Sequence, residues 1–198
     1  MRPIDPNDKL GPPSVAPDGE LVYTIRFENQ ASASAPVQEL VISDTLSPDL
    51  DWTTLRFLDI GYGERQLAID ESGLAFARRD LPPAGDAVLA GSAEGQLAID
   101  AAGSIDPASG RLVWRLQVID TATGDLPADP HAGFLPPEDG SGRGQGYVTF
   151  AIKPRPGLSL GSSVRNTASI VFDTNAAIAT NEVSTRIGYP VFLPVVVR

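Results

Sequence analysis

The chain reads as an all-β protein, an antiparallel β-sandwich carrying one long insertion, and three observations predict this. Among its 198 residues, 19 are Gly, 18 are Pro and only 20% are charged, a composition of short strands joined by tight turns. Several windows alternate apolar and polar residues with a period of two, whereas few sustain a helical period. Hydrophobic residues make up 42%, enough to fill the space between two sheets.

Residues 1–19 are Pro-rich and read as an extended lead-in, suited to a sheet edge because Pro cannot donate to a ladder. The clearest strand is Leu21 to Phe27: Leu21, Tyr23, Ile25 and Phe27 share one face, and Val22, Thr24, Arg26 and Glu28 the other. A small-residue turn over Ala31–Ala35 leads to a second strand, Val37 to Ser43, which ends at Asp44-Thr45. Ser47-Pro48-Asp49 is turn chemistry, and Trp52 to Leu58 resumes extended structure.

Residues 59–110 form the expected insertion. Within it Gln66-Leu67-Ala68-Ile69-Asp70 recurs as Gln96-Leu97-Ala98-Ile99-Asp100; two copies are too few for a solenoid and read as two similar strands or a local duplication. Arg111 to Asp120 is a strong strand with Leu112, Trp114, Leu116 and Val118 on one face. Residues 122–146 are turn-rich and long for a plain loop, so they are either ordered by local contacts or mobile. Gly146 to Lys153, Val164 to Phe172 and Glu182 to Ile187 complete the strands. Residues 20–188 thus form the sandwich, and 189–198 a tail or linker.

A net charge of −10 argues against nucleic acid or anionic lipid as partner, since phosphate contacts need clustered Lys and Arg. The chain has no Cys, which excludes disulfides, thiolate chemistry and Cys-ligated zinc. No stretch approaches the ~20 apolar residues of a helical membrane span. The start, Met1-Arg2-Pro3-Ile4-Asp5, has no apolar signal core, and the expectation is a segment of a longer exported chain.

Several segments resemble, in order, the bacterial conserved-repeat domain of large cell-surface proteins (domain of unknown function 11 and its relatives). They are Tyr23-Thr24-Ile25 with Phe27-Glu28-Asn29, Val41 to Leu46 with its Asp44-Thr45-Leu46 ending, Leu112-Val113-Trp114, Gly161, and Asn166-Thr167-Ala168. A closer subgroup is similar at both ends, in Asp5-Pro6-Asn7-Asp8-Lys9, Phe172-Asp173-Thr174-Asn175 and Thr180-Asn181. The resemblance covers about 5–58 and 111–187. It implies an immunoglobulin-like sandwich without catalytic role, extracellular or on the cell surface, with neighbouring domains of the same chain as its first partners.

If the first strand runs parallel to the last, Asp5, Asn7 and Asp8 share a pole with Asp173 and Asn175. Three readings of that pole stay open. The side chains cap turns; or they hold Ca2+, which takes six to eight oxygens from such groups; or Lys9 forms an isopeptide with Asn175 or Asn166. The last needs a buried, neutral amine and a nearby acid to carry the proton. Unburied acids around Lys9 would instead keep it charged.

Enzyme readings are weak. Asp173-Thr174-Asn175 lacks the glycine and the second copy of an aspartic protease dyad. A Ser-His-Asp set would depend on His131, the only histidine, and one His without Cys makes a poor zinc site. Gly140 to Gly146 lacks the Lys-Ser/Thr and helix of a phosphate loop. Among the aromatics, Trp114 sits on an apolar strand face, and Trp52, Tyr62 and Tyr147 would suit sugar stacking if exposed in a row. The functional expectation is a structural or spacer module, with a carbohydrate- or protein-binding (adhesin-like) module as the alternative.

Overall fold

The computed structural model describes residues 7–80 and 97–189. Fourteen strands are present among them and no helix. In chain order they are β1 (Asp8–Leu10), β2 (Ser14–Val15), β3 (Leu21–Glu28), β4 (Glu39–Thr45), β5 (Leu50–Tyr62), β6 (Arg65–Ser72), β7 (Ala75–Asp80), β8 (Leu97–Asp106), β9 (Arg111–Asp120), β10 (Gln145–Pro154), β11 (Ser163–Asn166), β12 (Ala168–Phe172), β13 (Ile178–Ala179) and β14 (Val183–Ile187).

Two large antiparallel sheets face one another. One has the order β1-β3-β10-β5-β6, the other β13-β12-β4-β9-β8-β7. A small third sheet, β11-β14-β2, closes one end, and in it β2 runs parallel to β14, with Arg186 opposite Ser14 and Ile187 opposite Val15. Alternation along the strands decides which side chains meet between the sheets. In β3, Leu21, Tyr23, Ile25 and Phe27 are buried; in β9, Leu112, Trp114, Leu116 and Val118; in β10, Val148, Phe150 and Ile152. Rings from opposite sheets lock together at the centre: Phe57 of β5 lies 4.8 Å from Phe76 of β7 and 5.0 Å from Trp114 of β9, centroid to centroid. Such tilted and edge-on pairs add attraction beyond area burial.

The region expected as an insertion is woven into both sheets. Residues 59–80 supply the end of β5 and all of β6 and β7, and β8 pairs with β9 over its whole length. The two copies of the short repeat fall on different sheets, the first in β6 and the described part of the second in β8. The stretch expected as one strand from Val164 to Phe172 is two. Thr167 divides it, β11 pairing with β14 and β12 with β4, so this stretch passes from the small sheet into a large one.

The turn-rich stretch before β10 is ordered by its own contacts. The Glu138 carboxylate accepts the amides of Gly140, Gly142 and Gly144 at 2.6–2.9 Å. Gln38 Nε2 donates to the carbonyls of Pro127, Asp129 and Ala132, and Phe134 is buried edge-on against Tyr62. The tail Pro190 to Arg198 lies outside the described residues.

Candidate functional site

Among the described residues very few charged side chains are buried, and two of them touch. Lys9, on edge strand β1, points inward and is 1% exposed; Asp44, near the end of β4 in the opposite sheet, is also 1% exposed. Lys9 Nζ donates to Asp44 Oδ2. On the same oxygen lands the amide of Asn166, the last residue of β11, with Nδ2 donating at 3.3 Å. The rings of Tyr23 and Phe150 wall the ammonium at 4.7 and 5.3 Å, a cation–π setting. Asp44 and Asn166 sit in the inward phase of apolar stretches: Leu40 and Ile42 precede Asp44 in β4, and Val164 of β11 with Ala168 and Ile170 of β12 flank Asn166.

Asn181 fixes the backbone of Lys9. Its Oδ1 accepts the Lys9 amide at 2.9 Å and its Nδ2 donates to the Lys9 carbonyl at 3.0 Å, so one side chain serves both main-chain groups as a paired strand would. Asn181 is placed in turn by Thr180, whose Oγ1 accepts the Ala168 amide and donates to the Asn181 carbonyl, both at 3.0 Å.

The electrostatics of the pair are dominated by burial. Loss of water pushes the Lys9 ammonium down from the ordinary lysine range, opposed by attraction to Asp44. The same loss pushes the Asp44 carboxyl up, opposed by Lys9 and then by the hydrogen bond from Asn166. Both directions favour neutral partners, an amine beside a carboxylic acid. Two acceptors in the cluster, Asp44 Oδ1 and Asn166 Oδ1, are buried without a hydrogen-bond partner among the described residues, an arrangement that native interiors rarely tolerate.

The residues expected to share an acidic pole are each engaged separately. Asp5 lies outside the described residues. Asn7 is buried, with Oδ1 3.4 Å from the Glu28 amide. Asp8 is held by Arg26, with Nε at 2.7 Å and a second contact from Nη2. Asp173 begins an exposed turn at φ 49°, a backbone conformation that Asp tolerates better than most residues. Its Oδ1 accepts the amides of Gln38 and Glu39 at 2.9 and 2.8 Å. Asn175 is exposed in the same turn and donates its backbone amide to the Phe172 carbonyl. Lys9 therefore shares its carboxylate with Asn166 and not with Asn175. Among the described residues no three His or carboxylate side chains gather as a metal-ligand set.

The aromatics do not form a row. Trp114 and Tyr62 are core. Trp52 is half-buried against Gly110, with the Arg155 guanidinium 5.8 Å from its ring. Tyr147 lies over Gly61, where a Cβ would sit 2.1 Å from the ring, and it borders an open groove of about 510 Å³ with Arg26, Phe27, Gly61 and Gly146.

A family model describing a domain of unknown function, DUF7619, matches residues 5–87 and 132–186, well over half of the sequence. The chain belongs to this family. The match contains Lys9, Asp44, Asn166 and Asn181, while all of β8 and β9 falls in the gap between its two parts. The likeness to the conserved-repeat domain is a separate statement that rests on the motifs alone. No curated protein matches the chain.

Similar solved structures include the C-terminal domain of the BspA polypeptide of Streptococcus agalactiae (15% identity, TM-score 0.44, covering 91% of this chain and 48% of that one). Another is a collagen-binding domain from a Staphylococcus aureus adhesin (11%, 0.42, 91% and 97%). A third is the pilus 2b backbone protein of group B streptococcus (16%, 0.46, 90% and 56%). The chain spans about half the length of the BspA structures it matches.

Proposed function

We propose that this domain is a non-catalytic structural module of an exported bacterial surface protein, a spacer or presentation unit with its first strand fastened into the core. The observation that supports this best is the Lys9–Asp44–Asn166 cluster. It takes one side chain from each of the three sheets, from β1, β4 and β11. A three-residue edge strand has little hold of its own, and in a chain without disulfides a buried polar tie supplies the missing staple. The segments behind the sequence resemblance support the same reading. Lys9, Tyr23, Asp44, Asn166, Thr180 and Asn181 all come from those motifs, and all stand in or directly beside the cluster.

A buried ion pair is a costly device if stability alone is wanted, since apolar residues of the same volume often serve as well. Its use here, across three sheets, suits a module that must keep its terminal strand docked. The adhesin-like alternative draws support from the groove beside Tyr147 and Arg26, which is open and mostly apolar. Its aromatics are too dispersed to make a sugar platform.

Surface exposure is tested on cells that express the natural full-length protein. Antibody against this domain should label intact cells, and external protease should remove the signal. Labelling only after lysis would overturn the reading.

A further inference from the structure

We propose that Lys9 and Asn166 become joined by an intramolecular isopeptide bond, with Asp44 carrying the protons. The inference deepens the reading of the cluster as a tie by making the tie covalent.

Three observations carry it. The ammonium nitrogen of Lys9 and the amide nitrogen of Asn166 meet on one oxygen of Asp44, so nucleophile, acceptor and proton carrier lie in mutual reach. All three residues are between 1% and 3% exposed, which excludes the water that would compete for the amide carbon. Finally, Asp44 Oδ1 and Asn166 Oδ1 have no partner among the described residues. A buried carboxylic acid and an amide carbonyl left idle are an unexplained cost in a purely structural ion pair. In a reacting centre they are the group that donates a proton and the carbonyl oxygen that accepts it. Burial pushes Lys9 toward the free amine and Asp44 toward the acid, the direction that the attack requires. The aromatic walls of Tyr23 and Phe150 keep the site apolar.

The step balances without any co-reactant. Neutral Lys9 Nζ adds to Asn166 Cγ while the Asp44 acid hydrogen-bonds the carbonyl oxygen, which a turn of the amide about its last side-chain bond brings round. A C–N bond forms. Asp44 accepts a proton from Nζ and delivers one to Nδ2, the Cγ–Nδ2 bond breaks, and ammonia leaves. The product is a secondary amide between β1 and β11, and Asp44 ends as it began.

The deciding experiment is the intact mass of the purified chain. Allowing for Met1, it should fall one ammonia short of the sequence mass. Trypsin should then fail to cut after Lys9. It should release the peptide ending at Arg26 joined to the peptide Asn166–Arg186, identified by fragmentation. Lys9→Arg, Asn166→Ala and Asp44→Asn should each show the full sequence mass, with circular dichroism confirming the β fold. A wild-type chain of full mass that is cut after Lys9 would overturn the proposal. Loss of ammonia with Lys9 still cleavable would overturn it too, since it marks a succinimide at an asparagine and not a crosslink. A linked Asp44→Asn chain would remove Asp44 from the mechanism. Because the mass is read on the isolated chain, a missing bond leaves the surface-module reading to its own test on cells.

Discussion

Lys9 and Asp44 stand on opposite sheets of the sandwich, 35 residues apart in the chain, and each is the other's hydrogen-bond partner in a place closed to solvent. Removing either one leaves the other buried without its partner, and this sets the first expectation. Measured in the unlinked Asn166→Ala chain, Lys9→Met and Asp44→Leu should each lower the unfolding free energy by about 3–5 kcal/mol. The pair Lys9→Met with Asp44→Leu should cost much less than the sum. Chemical denaturation of the four chains closes the cycle, and additive losses would show that the two residues act independently.

Asn181 offers a second expectation, because it works on the backbone of Lys9 and not on its charge. Asn181→Ala leaves the Lys9 amide and carbonyl without their partner and should cost about 1–3 kcal/mol. Asn181→Asp restores only the acceptor half and should fall between wild type and Ala. Equal stability of all three would mean that solvent replaces the Asn181 side chain freely.

Glu138 gives a pH dependence. The amides of Gly142, Gly144 and Gly140 hold its carboxyl below the ordinary glutamate value of 4.5. A depressed folded-state value means that this stabilisation is fully present above the unfolded value and is lost as pH falls through the folded one. Glu138→Gln should therefore be less stable than wild type at neutral pH, and the difference should shrink on acidification below about 4.5. Thermal midpoints of both chains across that range provide the check. A difference that stays constant with pH would remove the carboxylate from the account.

For calcium, the expected outcome is no response. Asp8 is engaged by Arg26, and Asp173 by the amides of Gln38 and Glu39, so a cation would have to displace partners already made. Thermal unfolding in EDTA and in millimolar calcium should give one midpoint. Saturation at 100 times a dissociation constant would raise stability by about 2.7 kcal/mol, and such a rise, lost in Asp173→Ala, would establish a metal at this pole.

Gly103 tests the central packing. A Cβ there would lie 2.4 Å from Phe76 and 2.7 Å from Phe57, two rings that also touch one another. Gly103→Ala should destabilise by about 1–3 kcal/mol through overpacking. An unchanged denaturation midpoint would show that the rings yield without cost.

The period-two patterns located most strands because in a sandwich one face of each strand must be dry, and that requirement writes itself into alternate residues. Leu21 to Phe27 and Arg111 to Asp120 show it plainly. The strands after β5, over residues 65–80, are harder to place for a related reason. β6 and β7 are largely exposed and bury only Ile69 and Phe76, so their alternation is faint. The site was legible in parts. Lys9 and Asn166 were both visible, as a lysine in a poorly charged chain and as an amide on the inward face of Val164 to Phe172. Asp44 reads locally as the end of a strand before a turn. Its depth depends on β4 lying between β9 and β12, a tertiary fact that no local window contains. A polar residue in the inward phase of an apolar strand is the signal to seek: both Asp44 and Asn166 carry it.

The parallel pairing of β2 with β14 has a mechanical consequence. Tension applied through the two ends of the domain would pull these neighbours in opposite senses along their common axis. Their hydrogen bonds would then be sheared together and not unzipped one at a time. A link from Lys9 to Asn166 would carry that force from the first strand straight across to β11, and the residues between them, nearly the whole fold, would stay slack while the chain around them is stretched.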